Sequence, residues 1–376
     1  MTCRLVCAVA VLIALANSAV AQVRVTPKAA RGGEKFGEPW VAVPEAFRKV
    51  PIPNWDVPTD LNFWEKTERQ QARITLLRDL GEMPARPDPK LVKVTSTEDH
   101  DGYRLERFEF FNGVDSKVTG MILIPKDLKK PAPTVMGLHG HGGSKEIICV
   151  NENDQQVIGP LLVKRGYVVA AIDSYFCGER LGKGPAGKLD ATARSEEESL
   201  FKLNLWLGRT LWGMMLRDEQ CLIDYLETRP EVDKHRIVAT GMSMGCTRSW
   251  WLAAIDERIK GTVGIACFTR YTELIAHGNL RRHGIYYFVP SVARHFDTEV
   301  IYALVAPRPM LQLSGDQDGG APADGIEILE KKLSSVYRLY NKPENFRSVL
   351  YKETGHEYLP EMKEELVAWL TKHFPP

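Results

Sequence analysis

The chain has 376 residues with Lys+Arg 49 against Asp+Glu 48, and a formal net charge of +1 removes any case for nucleic-acid binding through bulk positive charge. A hydrophobic fraction of 44% beside 26% charged residues excludes a disordered or collagen-like chain and leaves a folded domain able to bury a large core. Residues 1–21 read as a secretory signal peptide. Met1 to Arg4 supply a weak positive start, 5–16 an apolar run, and Ala19-Val20-Ala21 an A-x-A processing site. The run is too short to span a bilayer, which takes about 20 apolar residues, and Asn17 interrupts it. The expectation is a secreted or periplasmic protein with no membrane partner after cleavage. Cys3 and Cys7 leave with the signal. The five cysteines that follow show no C-x-x-C spacing, so zinc-finger and redox readings fall away, and one disulfide of unspecified pairing stays open.

Residues 22–57 are rich in Pro and Gly without periodicity and predict an irregular leader along the surface. The spacing of Phe63, Ala72, Leu76, Leu77 and Leu80 predicts a helix over 61–80, stopped by Gly81 and Pro84. Strand composition at 91–96, 103–111 and 117–123, with turn residues between, predicts an antiparallel meander at a sheet edge. From Thr134 the pattern changes. Short apolar runs at 134–138, 168–172, 237–240, 262–266, 310–313 and 348–351 alternate with helical stretches near 154–164, 212–227, 244–256, 324–340 and 361–372. That is the signature of parallel β-α-β units buried on both faces. The fold expected for 58–376 is one α/β domain: a mostly parallel central sheet flanked by helices, with an antiparallel amino-terminal edge and a small cap insertion at 268–300. Such sheets carry their sites beyond the carboxyl ends of the strands.

Directly after the 237–240 strand stands Gly241-Met242-Ser243-Met244-Gly245, a G-x-S-x-G sequence followed by a helical pattern. A sharp strand-to-helix turn holds such a serine in a strained conformation, and the small flanking residues allow close approach of neighbouring elements. The placement makes Ser243 the candidate nucleophile. A serine hydroxyl needs an imidazole to take its proton. In this topology the acid and then the histidine follow the nucleophile on later strand ends. His356, in Gly355-His356-Glu357-Tyr358 after the last strand, is the candidate general base. Asp316 and Asp318 both follow the 310–313 strand. Asp318 is the favoured acid, because a G-x-x-D spacing lets the chain leave the strand before turning the carboxylate back, and Asp316 is then a turn residue. Charge on the carbonyl oxygen calls for two backbone amides. Met244 N–H is one by its position after the serine; the second is assigned to His141, with Gly142 as the alternative, in His139-Gly140-His141-Gly142-Gly143. His139-Gly140-His141 also reads as a metal-binding H-x-H, but no further ligand motif accompanies it, so neither metal nor cofactor is expected.

At these residues the chain resembles the α/β-hydrolase superfamily and is similar to its acetyl xylan esterase and dienelactone hydrolase branch. The likeness rests on 138–143, on Asp173-Ser174-Tyr175-Phe176-Cys177-Gly178-Glu179-Arg180, on 224–233, on the serine turn and on 355–358. It implies a carboxyl-ester hydrolase with an acyl-serine intermediate, acting on acylated carbohydrate or another small ester. Dienelactone hydrolases use cysteine, so Ser243 favours the esterase side. Cys246 stands where many members of the branch have a second glycine. In the 268–300 segment, Arg270, Tyr271, Tyr286 and Tyr287 are candidate substrate contacts. Trp250, Trp251, Arg209, Trp212 and Met214 read as packing support. A prolyl oligopeptidase-type peptidase shares the triad but needs a large amino-terminal propeller. A hydrolase-fold binding protein without chemistry would not need all three triad members. The acyl group, the alcohol and the oligomeric state stay open.

Overall fold

The computed structural model describes residues 43–190 and 192–376, so the signal-peptide reading of 1–21 and most of the leader fall outside it. Of the leader, Glu45–Arg48 forms a single helical turn. Among the described residues no helix is long and apolar enough to cross a membrane.

Nine strands form one sheet in the order β1-β2-β3-β5-β4-β6-β7-β8-β9. β1 (Lys93–His100), β2 (Tyr103–Phe111) and β3 (Lys117–Pro125) pair antiparallel, and β3 joins the rest antiparallel to β5 (Val168–Ile172). From there β4 (Ala132–Leu138), β6 (Val232–Met242), β7 (Ile259–Ile265), β8 (Met310–Gly315) and β9 (Phe346–Tyr351) run parallel. The burial explains the composition. Every residue of β4, β5 and β8 is buried, which is why those runs read as continuously apolar. Alternation within β5 sends Val168, Ala170 and Ile172 to one face and Val169 and Ala171 to the other. The first face packs on helices Arg69–Leu80, Leu211–Leu226, Met244–Ile255 and Ala323–Leu339, the second on Gly159–Val163 and Pro360–His373.

Differences from the expected elements have local causes. The helix expected at 154–164 shortens to Gly159–Val163, because the Asp154 side chain accepts from Gln156 N–H and Asp154 N–H turns back to Asn151. The 61–80 helix carries a π-turn at Trp64–Glu68. A helix at Ala193–Trp206, started by a reciprocal Thr192/Ser195 cap, was not expected at all. The five cysteines are buried and unbridged, so the disulfide left open does not form among the described residues.

The chain visits β4, then β5 on one side, then β6 on the other, so the order reverses between β4 and β6. The crevice at such a reversal is where an open parallel sheet takes its ligand.

Candidate active site

Both strands at the reversal end in the sequence motifs singled out above. Leu138, last in β4, pairs with Gly241 of β6, and its carbonyl oxygen lies so close that a Cβ on Gly241 would sit 2.1 Å away and one on Gly245 1.8 Å away. Only hydrogen fits in either place, which is the physical content of the two glycines. Between them Ser243 has φ 59° and ψ −120°, strained for a residue with a side chain, at the N-terminus of helix Met244–Ile255. Its N–H donates to Ile265 O at 2.9 Å, which anchors the turn to β7. Cys246, in the first turn of the helix, packs against Gly264, where there is room for its sulfur and no more.

The loops after β8 and β9 are bonded to each other. Asp316 N–H donates to Tyr351 O, Gln317 N–H to Thr354 O, and Thr354 N–H to Asp316 Oδ1. Asp316 is thus a turn residue. The same cross-links place His356 Nδ1 2.8 Å from Asp318 Oδ2. Asp318 is buried, and its other oxygen accepts Gly320 N–H at 2.8 Å. Burial pulls the His356 pKa down, but the hydrogen bond and charge of Asp318 outweigh it, and the net shift is upward from 6.5. Ser243, His356 and Asp318 line one cavity of about 220 Å³. Sites for drug-sized ligands run about 300–1,000 Å³, so this one takes a small group or one end of a larger molecule. Cys267 lines it too and is hydrogen-bonded with the Ser243 hydroxyl; burial pushes its thiol well above the ordinary range, which keeps it protonated.

The turn after β4 presents four amides. Gly140 N–H donates to Gln156 Oε1, Gly143 N–H to Gly140 O, and Gly142 N–H points at the Cys177 sulfur. That leaves the amide of His141, which has no acceptor among the described residues. The first N–H groups of a helix likewise lack intrahelical partners, and Met244 is in that position. The His139 ring is committed: Nδ1–H donates to Gly140 O at 2.8 Å and Nε2 accepts Ser174 N–H at 3.1 Å. Burial, with the Arg248 charge added, lowers its pKa to about 3. Neither ring nitrogen is available to a metal, and no group of three or more His, Cys, Asp and Glu suited to one occurs among the described residues.

Residues 46–371 match the Abhydrolase family. The chain belongs to that family. Among relatives, the Bacillus subtilis (strain 168) protein named "Putative hydrolase YtaP" is 34% identical over 310 residues, covering 81% of this chain and 99% of its own. "Carbohydrate esterase MZ0003", from an unknown prokaryotic organism, is 24% identical over 264 residues, 58% of this chain and 59% of its own. Solved structures share the fold. A "putative acetyl xylan esterase" of Bacteroides fragilis NCTC 9343 has a TM-score of 0.67 at 20% identity, over 84% of this chain and 88% of that one. A glucuronoyl esterase from Solibacter usitatus has 0.62 at 17%, over 86% and 99%.

In this Abhydrolase-family chain the 268–300 segment corrects the substrate-contact expectation. Tyr286 lines the cavity, but Arg270, Tyr271 and Tyr287 do not. Arg270 is buried in ion pairs with Glu273 and Glu299, which need a cation there for their own sake. Tyr271 and Tyr287 face a separate apolar pocket beneath the segment. Arg282 and His283 are the residues that line the cavity instead, and His283 Nε2–H donates to Gly320 O at 2.8 Å, beside Asp318. Trp212, Met214, Trp250 and Trp251 are fully buried packing, and Arg209 is half-buried, donating to Asn204 Oδ1. Sequence reasoning missed Glu197. This buried carboxylate holds His141 Nε2 at 2.8 Å from the unexpected helix Ala193–Trp206. The capping pattern at Thr192 was the available signal for that helix; nothing in the sequence marked Glu197, the middle of three successive glutamates, as buried.

Proposed function

We propose that this hydrolase is a secreted, serine-dependent carboxyl-ester hydrolase that deacylates carbohydrate or other small esters. The observation that carries the reading is the His356–Asp318 pair, 2.8 Å apart, opening on the same small cavity as a serine held in a strained turn. In the reaction Ser243 Oγ attacks the ester carbonyl while its proton passes to His356 Nε2. Asp318 keeps the proton on Nδ1 and stabilises the imidazolium that forms. The Met244 and His141 amides receive the charge on the carbonyl oxygen, where each donor is worth about 3 kcal/mol. His356 then protonates the departing alcohol, and a water deprotonated by the same nitrogen releases the acid from the acyl-serine.

The names of the relatives support the substrate class, since one is a carbohydrate esterase and neighbours of the same fold are named for acetyl xylan and glucuronoyl esters. The signal-peptide reading of residues 1–21 supports export. The expected result is that purified mature protein hydrolyses p-nitrophenyl acetate in the presence of a chelator. A panel of acetylated xylan, methyl glucuronates, aryl esters and proline amides then ranks the substrates. Activity abolished by chelation and restored by zinc overturns the serine mechanism, and preference for proline amides overturns the esterase assignment.

A further inference from the structure

The cavity wall carries a second histidine, His141, backed by a buried carboxylate, and the reaction above uses its amide but not its ring. The His141 ring lines the wall with Ser243 and is 40% exposed at its side chain, while its partner Glu197 is 2% exposed. Glu197 Oε2 lies 2.8 Å from His141 Nε2, and Glu197 Oε1 accepts Tyr286 N–H at 3.1 Å. The ring is braced by Phe176, edge-on at 5.8 Å between centroids, and by Tyr286 at 5.4 Å. Three separate segments thus fix one imidazole. Rotamer freedom on a half-exposed ring is lost only where something holds it, and here a buried carboxylate does.

That partner also sets the proton. A carboxylate only accepts, so Nε2 carries the hydrogen, and in the neutral ring Nδ1 is left with a lone pair. Nδ1 has no partner among the described residues. Of the other polar side chains on the wall, the Arg282 guanidinium only donates, and His283 is held by its Nε2–H bond to Gly320 O. An oriented acceptor beside the scissile ester matches one common substrate group, a hydroxyl.

We propose that the His141 imidazole, oriented by Glu197, accepts a hydrogen bond from a free hydroxyl next to the acylated oxygen, so that the enzyme selects partially acylated polyols over simple alkyl esters. The proposal rests on the ester-hydrolase reading and names its substrate class more narrowly. His141 is the specificity residue and Glu197 its positioning residue.

The test uses the full mature protein and three matched esters: trans-2-hydroxycyclohexyl acetate, its methyl ether, and cyclohexyl acetate. The readout is the ratio of kcat/KM values, compared between wild type and variant so that intrinsic reactivity cancels. His141→Phe lowers the hydroxyl-over-cyclohexyl ratio at least about five-fold, the scale of one lost hydrogen bond. Should that variant fail to fold because Glu197 is stranded, His141→Phe combined with Glu197→Gln removes the buried charge and reads the same ratio. Glu197→Gln alone has a distinct signature. Its amide oxygen stays with Tyr286 N–H, its NH₂ faces His141, and the imidazole hydrogen moves to Nδ1; the methyl ether, which only accepts, then gains on the hydroxyl ester. Ratios unchanged in both the His141 variant and the double variant overturn the proposal while leaving the esterase intact. A methyl-ether ratio that Glu197→Gln does not move overturns the proton assignment and the proposal with it. Wild type inactive on all three acetates and on p-nitrophenyl acetate removes the esterase reading itself.

Discussion

The strand-end loops and the 268–300 segment both contribute to the cavity, yet they obey different rules. Ser243, Asp318 and His356 sit where parallel-strand topology puts them, one turn beyond β6, β8 and β9. Each is fixed by backbone constraints that neighbouring residues announce: glycines against the Leu138 carbonyl, and cross-loop bonds between 316–317 and 351–354. In the 268–300 segment no such rule applies. Arg270 and Arg282 are both arginines in a cap-like insertion, but one is buried among Glu273 and Glu299 and the other lines the cavity. What separates them is how the segment folds on itself: Glu273, three residues on, and Glu299, near the far end of the segment, close around Arg270, and Lys332 of the helix Ala323–Leu339 meets them at Glu299. Loop chemistry at strand ends is therefore legible one element at a time, whereas the fate of a charged side chain in an insertion depends on the assembled fold.

The largest effects test the first region. Ser243→Ala and His356→Ala each lower kcat by at least about 10³-fold, because members of such a unit fail together, with thermal unfolding little changed. Asp318→Asn lowers kcat about 10²–10⁴-fold through the wrong imidazole tautomer, while Asp316→Asn, whose amide oxygen can still accept the Thr354 N–H, stays within about ten-fold. The reverse order transfers the acid to Asp316. Gly245→Ala drives a methyl group to 1.8 Å from Leu138 O and costs about 3 kcal/mol or more in denaturant unfolding. A variant as stable as wild type means that the turn relaxes freely.

Smaller effects test the contrast between the two arginines. Arg270→Ala takes the cation from the half-buried Glu273, while Glu299 keeps Lys332 and Asp297 its donors from Tyr271, Thr272 and Thr298, and destabilises the protein by about 1–3 kcal/mol. Arg282→Ala leaves stability within about 0.5 kcal/mol and acts on titration instead. The base must be neutral to accept a proton, so kcat/KM rises with pH through a His356 pKa above 6.5. The Arg282 charge holds that pKa down, so its removal moves the rise to higher pH, while Asp318→Asn moves it lower. Identical pH profiles in wild type and Arg282→Ala deny that the guanidinium faces the base.

How much was readable follows the same division. The nine strands, their grouping into an antiparallel edge and a parallel centre, and the loops holding the serine, acid and histidine were all visible, since each depends on periodicity or glycine placement within a few residues. The helix Ala193–Trp206 escaped because its mean composition is polar and its cap is a Thr/Ser pair rather than a Ser-to-Glu box. Glu197 escaped with it. A glutamate is almost never fully buried without a partner, and its partner here lies 56 residues earlier in the chain. Tyr286 was expected at the cavity and reaches it; Tyr287, the next residue, turns to the other side of a short 3₁₀ turn and faces the apolar pocket.

Covalent labelling of the nucleophile tests the central claim most directly. An alkyl fluorophosphonate added to the mature protein, followed by intact mass and peptide mapping, should give one adduct, on Ser243, with parallel loss of ester hydrolysis and with labelling slowed by His356→Ala. An adduct on another residue, or full ester hydrolysis in a protein that carries no adduct after prolonged exposure, would contradict the account.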